Sequence, residues 1–348
     1  MHDTDALVIG AGPVGLFQVF QLGLLGLTVH AVDALPQPGG QCAALYPHKP
    51  IYDVPGVPVC TGLELADQLT KQIAHFVQQG VAQLHLSDLV ETLTPRDNGF
   101  EVTTQGGTVF RTRLIVIAAG AGAFVPKGMT IAGLDAPQQV HYHLPAPEQS
   151  APWAGQHVLV AGGGEEALEA VVALTQAPPA QAPAQISLMH RRDQFTAEPA
   201  LEDTVRALIA AGRVQWIQGM PDHADTINGT LQTLHVLGPD GLVKALAVDH
   251  ILIRQGLSPK LGPLSNWGLT LERKQVPVDT STFQTAQPGI YAVGDINTYP
   301  GKKRLLVCGF HEATMAAHAA LAWLKPDEPQ HLQYTTTSTA LRQRLGVL

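Results

Sequence analysis

Ala6-Leu7-Val8-Ile9-Gly10-Ala11-Gly12-Pro13-Val14-Gly15 is the stretch that decides the fold. Its four leading apolar residues suffice only for a short buried strand. A glycine turn follows, and Pro13, well placed at a first helical position, opens a helical stretch to about Leu25. Thr28 to Val32 reads as a second strand, which makes strand, helix, strand: a βαβ unit and hence a parallel sheet. In that context Gly10 permits the tight turn, Gly12 lets the backbone approach a pyrophosphate, and Gly15 lets helix pack on strand. The helix N-terminus offers N–H groups and positive dipole to phosphates. Asp33 ends the second strand, where a carboxylate accepts hydrogen bonds from a ribose. A glycine turn in an ordinary α/β sheet is the bland alternative. Strand, helix and terminal acid together argue against it.

Downstream, Leu63 to Gln79 has helical periodicity. Phe100 to Phe110 alternates around Gly106-Gly107 like a hairpin, and Leu114 to Ala118 is another buried strand. The opening pattern then restarts. His157 to Ala161 is a strand, Gly162-Gly163-Gly164 a turn, Glu165 to Gln176 a helix and Ile186 to His190 the next strand. Gly162 and Gly164 open this second fingerprint, and Ala167 holds its last small position. The second strand ends differently here, in His190-Arg191-Arg192. A carboxylate selects a free 2′-hydroxyl, whereas guanidinium groups bind a 2′-phosphate through charge-assisted bidentate bonds. A solvated basic strand end is the bland alternative. Two sites of opposite 2′ preference imply two cofactors, and the economical pair is FAD on Asp33 and NADPH on Arg191 and Arg192. The fold class expected is α/β, with two Rossmann-like dinucleotide-binding domains built on central parallel sheets. Periodicity suggests that one is inserted into the other without proving it.

The whole chain agrees with that class. Its 348 residues are enough for two domains, 45% are hydrophobic and 14% charged, and 34 are glycine. A disordered chain or a coiled coil is excluded. A net charge of −8 argues against nucleic-acid binding. Ala6 to Val32 carries no charge, yet its five glycines and Pro13 suit a buried βα unit better than a membrane span. Cys42, Cys60 and Cys308 form no Cys-x-x-Cys pair, and few scattered thiols suit a reducing cytoplasm.

Further motifs carry a resemblance. They are Gly39-Gly40-Gln41 after Asp33, Ala44-Leu45-Tyr46-Pro47, Ile51-Tyr52-Asp53-Val54, and Ala119-Gly120-Ala121-Gly122-Ala123-Phe124. Three more follow: His190-Arg191-Arg192-Asp193-Gln194-Phe195, Val293-Gly294-Asp295-Ile296-Asn297-Thr298-Tyr299, and Gly309-Phe310-His311-Glu312-Ala313. Over nearly its whole length the chain resembles the thioredoxin-reductase-like class of ferredoxin/flavodoxin–NADP+ reductases. The resemblance implies a discontinuous FAD domain, 1–122 plus 256–348, with an NADPH domain, 123–255, inserted. It also implies transfer of electrons from NADPH through FAD to ferredoxin or flavodoxin, in a cytoplasmic homodimer.

Carried over position by position, Asp33 resembles the adenosine-ribose ligand, Gln41 a group near the flavin, and Tyr46 the aromatic stacked on one face of its ring. Val90 and Phe124 match residues lining the FAD, and Asp295 the acid on its ribityl-phosphate side. Tyr334 and Thr336 fall in a tail, from about residue 331, that in this family crosses the dimer to cover the flavin's other face. Hydride transfer needs no protein nucleophile, and no catalytic acid or base is expected. The closest rival is an NADPH-dependent FAD reductase acting on a quinone or a separate disulfide protein.

Glu166 departs from the pattern, placing a second carboxylate near the expected pyrophosphate unless it points outward. The missing cysteine pair speaks against disulfide chemistry, and the three thiols read as small buried packing residues. His141-Tyr142-His143 lacks a third ligand, and no metal site is expected. Lys302-Lys303-Arg304 reads either as a landing patch for an acidic carrier or as a solvated loop.

Overall fold

The computed structural model describes the chain apart from Tyr46, 135–137, His143, 145–152, Gln330 and Leu348, and apart from the side chains of 123–126 and 257–260. The chain divides into two units, Met1–Ala123 with Pro259–Leu348, and Phe124–Ser258.

In the first unit, the strands Ala82–His85, Val29–Val32, His2–Ile9 and Val109–Ile117 lie side by side in that order, all parallel. Ile290–Ala292 adds a fifth parallel strand against Ile115–Ile117. Gly99–Thr104 and Val90–Arg96 extend the sheet as an antiparallel meander. The expected hairpin strand and buried strand are thus a single strand, Val109–Ile117. Helix α1 (Pro13–Leu24) connects the first two strands, and α2 (Gly40–Leu45) follows the second. Helix α3 (Gly62–Gln78) starts at a capping box, Thr61 with Glu64, that satisfies two terminal N–H groups. One core cluster joins α1, α3 and one sheet face, and the other face packs on Leu264 and Trp267.

The second unit repeats the plan. Gln215–Gln218, Gln185–His190, His157–Ala161, His250–Ile253 and Val140–His141 form an all-parallel sheet in that order. Helices α4 (Glu165–Thr175) and α5 (Pro199–Ala210) pack with Trp153, Val158, Val160 and Leu188 in one core. An antiparallel meander, Met220–Ile227, Thr230–Leu237 and Val243–Ala247, shares the other core with Leu159, Ala161 and Ile251. Helix α6 (Leu306–Leu324) and the short α7 (Thr339–Arg344) complete the first unit. No helix among the described residues is long and apolar enough to cross a membrane.

Strand order sets where a ligand can lie. In each unit the first strand of the βαβ lies between its successor and a strand from much later in the chain. The crossovers therefore leave in opposite directions, opening a crevice at the strands' carboxyl ends.

Candidate functional site

The first crevice lies between Ile9 and Ile117. Gly10 has φ +107°, and a Cβ on it would stand 2.5 Å from Ala118 O. A Cβ on Gly15 would stand 1.9 Å from Gly10 O. Both are glycine because the protein packs against itself there. Gly12 is different. Its dihedrals, φ −69° and ψ −178°, suit any residue, and the nearest atom to a Cβ would be Gly40 Cα at 3.7 Å. Nothing in the protein requires Gly12 to lack a side chain, yet it is the N-cap of α1, with no side-chain cap. That leaves the helix N-terminus clear for a close-approaching anion.

The same division holds at the second crevice. A Cβ on Gly162 would meet Arg254 O at 2.1 Å and the Ala167 methyl at 3.0 Å. Gly164, the uncapped N-cap of α4, has φ −96° and ψ 174°, and its nearest neighbour would be Thr196 O at 4.0 Å. Arg254 follows the strand beside Gly162, and its buried Nε has no hydrogen-bond partner among the described residues. Both crevices therefore fit a pyrophosphate: each has an uncapped helix N-terminus at a glycine that the protein's own packing does not require.

Strand ends distinguish them. Asp33 follows Val29–Val32, its Oδ2 accepting from Ala11 N (2.6 Å) and its Oδ1 from Leu35 N (2.8 Å). Burial pushes its carboxyl upward, and the two N–H groups oppose that. Each oxygen retains a lone pair for a ribose hydroxyl. Arg191 and Arg192 follow Gln185–His190, are exposed, and make no ion pair among the described residues. Burial lowers the pKa of His190, and their charges lower it further.

Around the first crevice, Gln41 lies on α2 close to Gly120, whose Cβ would come within 2.9 Å of Gln41 Nε2. Asp295 lies in the turn Gly294–Ile296, its carboxyl pushed up by burial against the pull of Lys302 and Arg304. Val90 is buried in the core cluster with Ile9 and Val32. Phe124 is in the strand Ala123–Pro126, but its side chain, like Tyr46 as a whole, lies outside the described residues. Tyr334 and Thr336 are exposed. The tail that follows them is held by Arg344 Nη1 donating to Leu24 O (2.9 Å) and by buried Leu341. That anchor is the end of α1 opposite the glycine turn, roughly 18 Å away for twelve helical residues.

The structure revises three sequence readings. Lys302 belongs to no surface patch: it is 7% exposed and pairs at 2.5 Å with Glu312, which is fully buried in α6. Glu312 also accepts from Gly294 N, Asn297 Nδ2 and Tyr299 Oη, and Lys302 donates to Gly294 O. This network fixes the Asp295 turn, and a buried cation ten residues from its partner leaves no signal in local composition. Glu166 faces Arg254 Nη1 at 3.7 Å, a guanidinium that offsets its charge beside the second crevice. Of the three free thiols only Cys60 is buried, Cys42 and Cys308 being half-buried. Burial raises both Cys42 and Cys60, and Asp295 raises Cys42 further, which suppresses thiolate.

Residues 4–322 match the pyridine nucleotide-disulphide oxidoreductase family. The chain belongs to that family. Among relatives, it is 51% identical to a ferredoxin–NADP reductase of Paracidovorax citrulli (strain AAC00-1), over 99% of this chain and 96% of that protein. It is 50% identical to a ferredoxin–NADP reductase of Acidovorax sp. (strain JS42), with the same coverage. Solved structures show the same fold. Thioredoxin reductase of Lactococcus lactis superposes with a TM-score of 0.61 at 23% identity, covering 93% of this chain and 99% of that one. Bacillithiol disulfide reductase of Staphylococcus aureus gives 0.63 at 16%, covering 92% and 99%. The family name includes a disulphide, but this member's cysteines are all free.

Proposed function

We propose that the chain is a ferredoxin/flavodoxin–NADP+ reductase, holding FAD in the first unit and NADPH in the second. The observation that carries this is the pair Gly12 and Gly164: both cap a helix beside a switch-point crevice, and neither is needed by the protein's own packing. Bound FAD would supply the chemistry that joins a two-electron hydride donor to a one-electron carrier. The protein's part is to bind and orient. Gly10, Gly12 and Gly15 admit one pyrophosphate, Asp33 accepts from a ribose, and Gln41, Tyr46, Val90, Phe124 and Asp295 surround the rest of the FAD. Gly162 and Gly164 admit the other pyrophosphate, and Arg191 and Arg192 bind the 2′-phosphate. No residue is assigned as general acid or base.

The functional domains follow as 1–122 with 256–348 for FAD and 123–255 for NADPH. Tyr334 and Thr336 serve the second subunit of a cytoplasmic homodimer. Within one chain their tail is anchored at the far end of α1, and reaching across a dimer interface is the reading this anchoring supports. The relatives' names favour ferredoxin as acceptor over a quinone or a disulfide protein.

The deciding experiment starts from the purified holoprotein. NADPH without oxygen should bleach the flavin bands, and NADPH-dependent cytochrome c reduction should require added ferredoxin or flavodoxin. Turnover of a quinone or a disulfide protein at a higher kcat/KM than either carrier would move the assignment to the rival.

A further inference from the structure

We propose that His223, Asp225 and His235 form a binding site for a divalent transition-metal ion of the Zn2+ type on the solvent face of the antiparallel meander. The pattern follows from strand register. His223 and His235 are direct cross-strand partners between Met220–Ile227 and Thr230–Leu237, and Asp225 is two residues on from His223, hence on its face. A bulge between Pro221 and His223 places Asp222 beside the group as well. The imidazole rings stack 3.9 Å apart at 8°. His235 Nε2 lies 2.8 Å from Asp225 Oδ2, and one ligand atom from each of the three residues falls within 4.8 Å of the other two. Among the described residues no other His, Cys, Asp or Glu group meets this spacing.

The chemistry of the set selects the ion. Two neutral imidazoles and one carboxylate suit Zn2+, Ni2+ or Cu2+ better than Ca2+ or Mg2+, which prefer all-oxygen shells. Three protein ligands leave the fourth position of a tetrahedral ion to water. Asp222 Oδ2 lies 2.7 Å from His223 Nδ1, which orients that ring and leaves its Nε2 as the ligand atom. The ion replaces the proton between His235 Nε2 and Asp225, that proton moving to His235 Nδ1. The scaffold is fixed on both sides of the ligand strand. Ala224 N donates to Ala132 O and Thr226 Oγ1 to Gly133 O on one edge, and Thr230–Leu237 pairs on the other. The sequence hides the site because His223 and His235 stand twelve residues apart and meet only through the hairpin register.

The test uses untagged, flavin-loaded protein titrated with ZnCl2 by calorimetry. Wild type should bind one equivalent, and His223→Asn and His235→Asn should each weaken binding tenfold or more. Asp225→Asn, at an exposed position, should weaken it several-fold. Cu2+ at one equivalent should show paramagnetic resonance splitting from two imidazole nitrogens, and from one in either histidine variant. Flavin absorbance and far-ultraviolet dichroism report folding. If a histidine variant does not fold, Asp225→Asn and the wild-type Cu2+ spectrum decide. Wild-type Zn2+ affinity in any folded variant, or no binding by wild type at millimolar Zn2+, overturns the proposal.

Discussion

Lys302 and Glu312 form a buried ion pair, Nζ to Oε1 2.5 Å, and each also bonds the backbone of Gly294, one residue before Asp295. Four donors meet the Glu312 carboxylate, which compensates the cost of burying it. The Tyr299 hydroxyl, one of those donors, is held protonated, its pKa raised well above the usual value by burial and then by Glu312.

Replacing Lys302 with Met leaves Glu312 charged and buried without its cation. Removing one partner of such a pair costs about 3–5 kcal/mol. Urea unfolding of Lys302→Met should show a loss of that size. Because the pair fixes the Asp295 turn, FAD should also be released at lower urea than in wild type. An unchanged midpoint and unchanged flavin retention would show that the network is incidental.

Gly12→Ala and Gly164→Ala test the two crevices separately. Both positions have room and dihedrals for a methyl group, and both variants should fold. Gly12→Ala should purify with little FAD, whereas Gly164→Ala should keep its flavin and raise the NADPH KM tenfold or more. Full flavin content in the first variant would remove the main support for the cofactor assignment.

Arg191→Ala with Arg192→Ala should reduce kcat/KM for NADPH while leaving NADH nearly unaffected. Hydrogen bonds to charged groups contribute about 1.5–3 kcal/mol each, or on the order of 10–100-fold per contact. Equal losses with both nucleotides would mean that the arginines serve the fold and not the 2′-phosphate.

Stability should fall on acidification. His30 stacks on His85 and packs near His2 and Phe110, and its pKa is lowered from 6.5 to about 4 by burial, then by His85 and His2. Burial lowers His85 as well. Between about pH 6.5 and 4 the unfolded chain therefore binds a proton at residue 30 that the native protein does not. The stabilisation is complete above pH 6.5 and is lost as pH falls through that window. Melting temperatures across it should decline less steeply in His30→Phe. The same slope in both proteins would place the acid sensitivity elsewhere.

Tyr334→Ala tests the tail without removing its anchor, since Leu341 and Arg344 remain. Flavin absorbance and fluorescence should change while FAD content does not. A spectrum identical to the parent's would make Tyr334 an ordinary surface tyrosine.

Both nucleotide folds were legible because their signals are local. Gly10 to Gly15 and Gly162 to Ala167 each place turn, helix start and packing constraint within six residues, and the strand ends at Asp33 and Arg191 lie one βα unit further on. What stayed hidden depends on distant partners. Lys302 beside Lys303 and Arg304 looks solvated until Glu312 on α6 is placed against it. Glu166 looks unopposed until Arg254, 88 residues away, is brought to the neighbouring strand end. Local charge patterns report neighbours in sequence, whereas burial and pairing are properties of the packed molecule.

Asp33 and Arg191 stand at the ends of corresponding strands of the two units but differ in how far the fold depends on them. Both residues directly follow a strand and lie outside the apolar cores, but Asp33 also holds the glycine turn by accepting from Ala11 N. Arg191 and Arg192, both exposed, can therefore change without disturbing a core, whereas replacing Asp33 leaves Ala11 N and Leu35 N without their acceptor.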